Sequence, residues 1–137
     1  MSQIEQRIGY LVKQVAHAFR RASEPRLREL GLSMAQYAVL RALADVPEAP
    51  AAELARRTFV TRQSLRDVLA GLTAAGLASV ASEPTTGRAL PVRLTDEGRV
   101  LLERAERIVL DVDERMIAGV PTGELERLLK ACAKNLA

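Results

Sequence analysis

Apolar residues at Ile4, Ile8, Leu11, Val12, Val15 and Phe19 repeat with the spacing of a single helical stripe. Pro25 predicts that this first helix ends before it, or resumes briefly through Leu27 and Leu30 to Gly31, a suitable C-terminal stop. Ser33 followed three residues later by Gln36 forms a capping box, which starts a second helix through Tyr37, Leu40 and Leu43 toward Pro47. The chain must break between Pro47 and Pro50, and Pro50 suits the first turn of a short third helix, AAELARR. Thr61 caps a fourth helix in which Leu65, Val68, Leu69 and Leu72 share one face. Gln63, Asp67, Ala70 and Ala74 lie opposite that face, with Arg62, Arg66 and Thr73 on a flank.

After Gly76 the period changes. Leu90, Val92 and Leu94 alternate with other residues as a half-buried strand, partnered around Ala78 to Ser82 through a turn at Pro84, Thr85, Thr86 and Gly87. Pro91 donates no ladder hydrogen bond and places that strand at an edge. Thr95 caps a long helix toward Ala118, with Leu101, Ala105, Ile108, Val112 and Met116 on one face, widened by Leu102 and Val109. Thr122 caps a last helix carrying Leu125, Leu128, Leu129, Cys132 and Leu136. The segment from Ala52 to Thr95 is thus a short helix, a tight turn, a helix with a polar outer face, and a hairpin tipped by Arg88. That order is a winged helix-turn-helix, in which one helix enters the major groove of DNA and the hairpin reaches toward the neighbouring minor groove. The fold class expected is mainly α with a small β-hairpin wing, flanked by N- and C-terminal helices.

Three amphipathic helices, the first, the long fifth and the last, lie outside this reading segment and need a surface to cover them. A two-fold dimer buries their stripes and sets two reading helices about one DNA turn apart, ~34 Å; the competing reading closes them into a single-chain bundle. A single domain is expected, with residues 33–95 as the DNA-binding lobe and residues 1–31 and 96–137 as dimerisation helices.

Composition agrees without deciding. The 137 residues are 48% hydrophobic, enough for one domain with a core and too few for two of ordinary size. A net charge of +3 favours a polyanionic partner only weakly. The basic residues are almost all arginine, whose planar fork suits phosphate and guanine, although a GC-rich genome gives the same bias. Charges within MSQIEQRIGYLVKQ oppose a signal peptide, and no segment reaches the ~18 consecutive apolar residues of a membrane span, so a soluble cytoplasmic protein is expected. One histidine, one cysteine and no Gly-rich phosphate loop argue against catalysis, a metal centre or a cofactor.

With these elements in order, the chain resembles the MarR family of bacterial transcriptional regulators. The resemblance spans nearly the whole chain: LRELGLSMAQYAVLRAL is similar to the family's second-helix segment, AELARRTFVTRQSLRDVLAGLTAAGL to its helix-turn-helix, and GRALPVRLTDEGRVLL to its wing and the start of its dimerisation helix. It implies a homodimer that binds a pseudo-palindromic operator in double-stranded DNA, usually as a repressor. It also implies release by a small phenolic or other lipophilic effector, or by cysteine oxidation. Three features depart from the family pattern. Thr86 stands where an Asp often braces the tip arginine, Phe59 occupies a turn position where glycine is frequent, and Asp67, Ala70 and Gly71 replace charged or basic residues of the reading helix. Fewer phosphate contacts should follow.

Arg62, Gln63, Ser64 and Arg66 are the candidates for base and phosphate contact, since Arg grips guanine through two acceptors and Gln pairs with adenine. A solvated helix face is the competing reading. Arg88 suits a narrow, A·T-rich minor groove, against a free surface arginine. Arg56, Arg57, Thr58 and Thr61 are candidates for the phosphate chain, against exposed charges of a short helix. Asp67 accepts from a cytosine amino group or pairs with Arg66 or Arg62. For the effector pocket that the resemblance implies, Tyr10, His17, Met34 and Tyr37 are candidates, each equally explicable as core. His17 has no ligand cluster around it, and Cys132 reads as a buried small hydrophobe with a redox switch as the alternative. A helical protein-interaction module of the same fold is the second reading of the whole.

Overall fold

The computed structural model describes residues 3–81 and 91–137. A short 3₁₀ turn, Gln3–Gln6, leads into α1 (Ile8–Glu29), α2 (Met34–Asp45), α3 (Ala51–Thr58) and α4 (Arg62–Ala74). Strands β1 (Ala78–Val80) and β2 (Val92–Leu94) follow, then α5 (Asp96–Met116) and α6 (Thr122–Asn135). The strands pair antiparallel with Ala78 opposite Leu94, Ser79 opposite Arg93 and Val80 opposite Val92. Pro91 contributes only its carbonyl, which accepts from the Ala81 N–H at 2.9 Å. The expected turn at Pro84 to Gly87, the strand position Leu90, and Thr86 and Arg88 lie outside the described residues.

The core gathers around α2. Val39, Leu40 and Leu43 are buried against Leu54 of α3, Leu65 and Leu72 of α4, Ala78 and Leu94 of the hairpin, Leu102 and Ala105 of α5 and Leu27 of α1. The helix starts are fixed by their caps. Ser33 Oγ accepts from Gln36 N at 3.0 Å while Gln36 Oε1 accepts from Ser33 N at 2.8 Å. This reciprocal box satisfies two N–H groups that a helix terminus otherwise leaves unpaired.

Four expectations change. The first helix does not end at Pro25; it runs unbroken to Glu29. A proline inside a helix costs about 3 kcal/mol, and here Leu27, fully buried two residues later, holds the last turn against the core. Arg21, whose carbonyl loses its helical donor to Pro25, is exposed, so water can take that place. Pro50 stands at the N-cap of α3 rather than inside its first turn, and Pro121 rather than Thr122 holds the N-cap of α6, with no side-chain cap hydrogen bond at either start. Both prolines sit with extended ψ just ahead of the first helical residue, where the missing N–H leaves no helical bond unmade. Finally, Cys132 is exposed, because α6 buries no residue within the protomer.

A candidate nucleic-acid interface

The reading helix is held from beneath. Leu65 and Leu72 anchor α4 in the core, one helical face apart from the exposed side chains of Arg62, Gln63, Ser64 and Arg66. At its start, Thr61 Oγ1 accepts from Ser64 N at 3.1 Å and lies 3.1 Å from Ser64 Oγ. Thr61 therefore caps the helix, with the Ser64 hydroxyl drawn to it, leaving Arg62, Gln63 and Arg66 as the long polar side chains of that end. Among the described residues none of these three has an ion pair or side-chain hydrogen bond, and Asp67 pairs with neither arginine. The positive end of the helix dipole adds to the same local field.

Helix α3 behaves differently. Arg57 Nε lies 3.2 Å and Arg56 Nη2 3.8 Å from Glu53 Oε1, so both are already engaged on the helix surface. Thr58 Oγ1 donates to the carbonyl of Leu54 at 2.7 Å and is half-buried. Of the four residues expected near the phosphate chain, Arg56, Arg57 and Thr61 stay exposed, Thr61 as the N-cap of α4, and Thr58 bonds back into its own helix.

Between the two helices, Phe59 adopts the left-handed conformation, with φ 57° and ψ 29°. For a residue with a side chain this costs on the order of 1–2 kcal/mol, and the chain accepts it because the turn must reverse within three residues. Val60 then points inward and packs on the core, while the Phe59 ring is 96% exposed. The angle between α3 and α4 is thus set without the glycine frequent at this place.

Thr95 caps α5 as the sequence predicts, but sequence reasoning missed Gly98 and the bonds by which Thr95 also locks the hairpin to α5. Thr95 Oγ1 accepts from Gly98 N at 3.0 Å and donates to the carbonyl of Gly76 at 2.7 Å, and Thr95 N donates to Leu77 O at 3.1 Å. A Cβ on Gly98 would stand 2.1 Å from Leu77 O and 2.9 Å from a Leu94 methyl. The only signal was a glycine three residues after a capping threonine, within the first turn of a helix.

The proposed effector residues are dispersed. Tyr10 and His17 are exposed along α1, and Met34 packs on the core at the start of α2. Tyr37 donates its phenol proton to Glu106 of α5; burial first, and then this hydrogen bond, hold the phenol well above its ordinary pKa. Arg41 Nη1 approaches the same carboxylate at 3.8 Å, and its Nη2 contacts Asp45 Oδ1 at 2.5 Å. The Asp45 hydrogen bond raises the already high Arg41 pKa. None of the four lines the groove of about 370 Å³ between α1 and α5, which is formed by Val15, Phe19, Val112, Met116 and their neighbours. Among the described residues no cluster of metal-ligating side chains occurs, and no helix is long and apolar enough to cross a membrane.

This geometry has close counterparts. The HTH-type transcriptional repressor Rv2887 of Mycobacterium tuberculosis is 38% identical over 129 residues, covering 94% of this chain and 92% of that protein. A crystal structure of the M. tuberculosis Rv2887 complex with DNA matches with a TM-score of 0.73 at 32% identity, over 92% of this chain and 97% of that one. Its complex with salicylic acid matches with a TM-score of 0.72 at 34% identity, over 96% of both chains. Residues 30–89, from the end of α1 into the segment joining the strands, match the sequence model of the MarR family. With the identity to Rv2887 sustained over nearly the full length of both chains, the chain belongs to the MarR family of transcriptional regulators.

Proposed function

We propose that this chain is a sequence-specific DNA-binding repressor that acts as a homodimer on a pseudo-palindromic operator. The observation that carries this reading is the N-terminal end of α4, where Arg62, Gln63 and Arg66 are exposed and, among the described residues, unpaired on a helix whose opposite face is fixed in the core. Such side chains lose no intramolecular partner on entering a groove. The DNA complex of Rv2887 supports it by similarity. Arg62 and Gln63 read bases, Arg66 and the exposed Arg56 and Arg57 meet phosphates, and Thr61 and Ser64 present the helix terminus. Arg88 enters the minor groove. Residues 33–95 form the DNA-binding lobe, and residues 1–31 and 96–137 bring two protomers together.

Release is by a small aromatic acid or related phenolic molecule, a reading supported by the salicylic acid complex of Rv2887. Met34 and Tyr37 contribute from α2, where Tyr37 is already tied to α5, and Tyr10 and His17 contribute from the exposed side of α1. The soluble, non-catalytic character of a transcriptional regulator goes with this function.

Selection from a pool of random duplexes tests the whole reading. A repressor enriches a two-fold symmetric motif with half-sites about one helical turn apart, and Arg62→Ala and Gln63→Ala each weaken binding to it by about 1–3 kcal/mol while changing random-sequence binding less. A pool with no enrichment, and no salt-dependent binding in dilute buffer, would favour a protein-interaction module instead.

A further inference from the structure

We infer that Phe59 is a DNA contact, its ring packing on the apolar surface of the duplex, deoxyribose or thymine methyl, at the edge of the groove that α4 enters. The inference rests on the DNA-reading role of α4 given above. Three observations lead to it. The ring is 96% exposed and so packs on nothing among the described residues. Its backbone is left-handed, a conformation that glycine or asparagine takes with less strain, so local folding does not call for phenylalanine. Its neighbour Val60 turns into the core, which fixes Phe59 outward, two residues ahead of the N-cap of the reading helix.

The surroundings identify the partner. Exposed Arg56 and Arg57, which share the single carboxylate of Glu53, precede the ring and exposed, unshared Arg62 follows it, so the aromatic is flanked in sequence by an excess of cations. An apolar protein partner would have to desolvate those charges, whereas a duplex pairs them with phosphates and offers sugar faces and thymine methyl groups between them. A strained backbone kept for an exposed apolar side chain marks a place where the side chain works on something outside the protomer.

Phe59→Gly separates binding from folding, because glycine removes the ring and relieves the positive φ together. The probe is the duplex that the parent protein enriches from the random pool, alongside the same duplex with thymine replaced by uracil. Phe59→Gly and Phe59→Asn are expected to melt at or above the parent temperature yet bind the enriched duplex about tenfold more weakly, with Phe59→Leu in between. If uracil removes the difference between parent and variant, the contact is to thymine methyl; if the difference persists, it is to the sugar. Arg62→Ala runs in parallel. Weak binding by Arg62→Ala with parent-like binding by Phe59→Gly overturns the Phe59 contact alone, whereas no enriched duplex at all removes the reading beneath it. Lower melting temperatures for both Phe59→Gly and Phe59→Asn, or a changed oligomeric mass, would make the ring a structural or self-association element and overturn the inference.

Discussion

The lobe built from α2, α3, α4 and the hairpin, and the helices at the two ends of the chain, treat their apolar residues in opposite ways. In the lobe Val39, Leu40, Leu43, Leu54, Leu65 and Leu72 are all buried by the protomer itself. At the ends Ile4, Ile8, Leu11, Val12 and Val15 stay exposed, as do Leu128, Leu129 and Leu136, and neither the 3₁₀ turn nor α6 buries any residue. The lobe's core is therefore completed within the protomer, with Leu27 of α1 and Leu102 and Ala105 of α5 closing it, and its outer surface is free to be polar and to meet DNA. The ends are half of something. Exposed apolar stripes of this kind mark an interaction surface, and a second copy of the chain, turned by a two-fold axis, offers the same stripes in return.

The two regions join at the start of α5, where the largest single effect is expected. Gly98→Ala drives a methyl group to within 2.1 Å of the Leu77 carbonyl, and because backbone, not a flexible side-chain end, is in the way, β1 must shift from α5. The expected loss is about 3 kcal/mol, read from urea unfolding, with the Thr95 bond to Gly76 weakened in consequence. An unchanged midpoint would mean that the hairpin floats on α5 and that the lobe is less complete than its burial suggests.

The second test acts on the ends alone. Leu129→Glu places a charge on a residue that is 51% exposed in the protomer, so the folded chain tolerates it, while a two-fold interface meets the charge twice. Dimer affinity should fall by about 2 kcal/mol or more, seen as a lower mass in sedimentation at micromolar concentration, with the melting of the lobe unchanged. Arg66→Ala, on the lobe, should leave the mass as it was. If parent and Leu129→Glu sediment alike as monomers, the end helices do not finish each other and the contrast between the regions needs another cause.

The same contrast explains what could be read from the sequence. The helix order, the capping box at Ser33, the cap at Thr61 and the stops at Gly31 and Gly76 were legible because each is fixed by residues within a few positions of one another. The buried face of Leu65 and Leu72 was legible from periodicity, and the exposure of Arg62, Gln63 and Arg66 followed from it. What was not legible depends on residues far apart in the chain. Pro25 is tolerated because Leu27 meets the core, and Gly98 is required because Leu77, 21 positions earlier, crosses the first turn of α5. The pairing of Arg56 and Arg57 with Glu53 is local but was hidden by the arginine bias of the whole chain. Cys132 belongs to a face whose burial no single protomer can supply.

The smallest effect concerns the strap that ties lobe to end through Tyr37 and Glu106. Removing the phenol in Tyr37→Phe deletes one hydrogen bond, but Glu106 keeps Arg41 at 3.8 Å and is not left bare. The loss is therefore about 1 kcal/mol, small beside that of Gly98→Ala. Its pH dependence has a definite sign. The folded-state pKa of Tyr37 lies above its ordinary value of 10.0, chiefly through burial and then through the Glu106 bond. The protonated phenol is thus the form the fold favours. The stability it contributes is complete below pH 10 and declines as the pH rises from there toward the folded-state value. Urea midpoints of parent and Tyr37→Phe should differ by a constant amount from pH 7 to pH 9 and converge above pH 10. A gap that widened with alkalinity would show that the phenol is ionised where α2 meets α5, and the two regions would then be joined by the arginine alone.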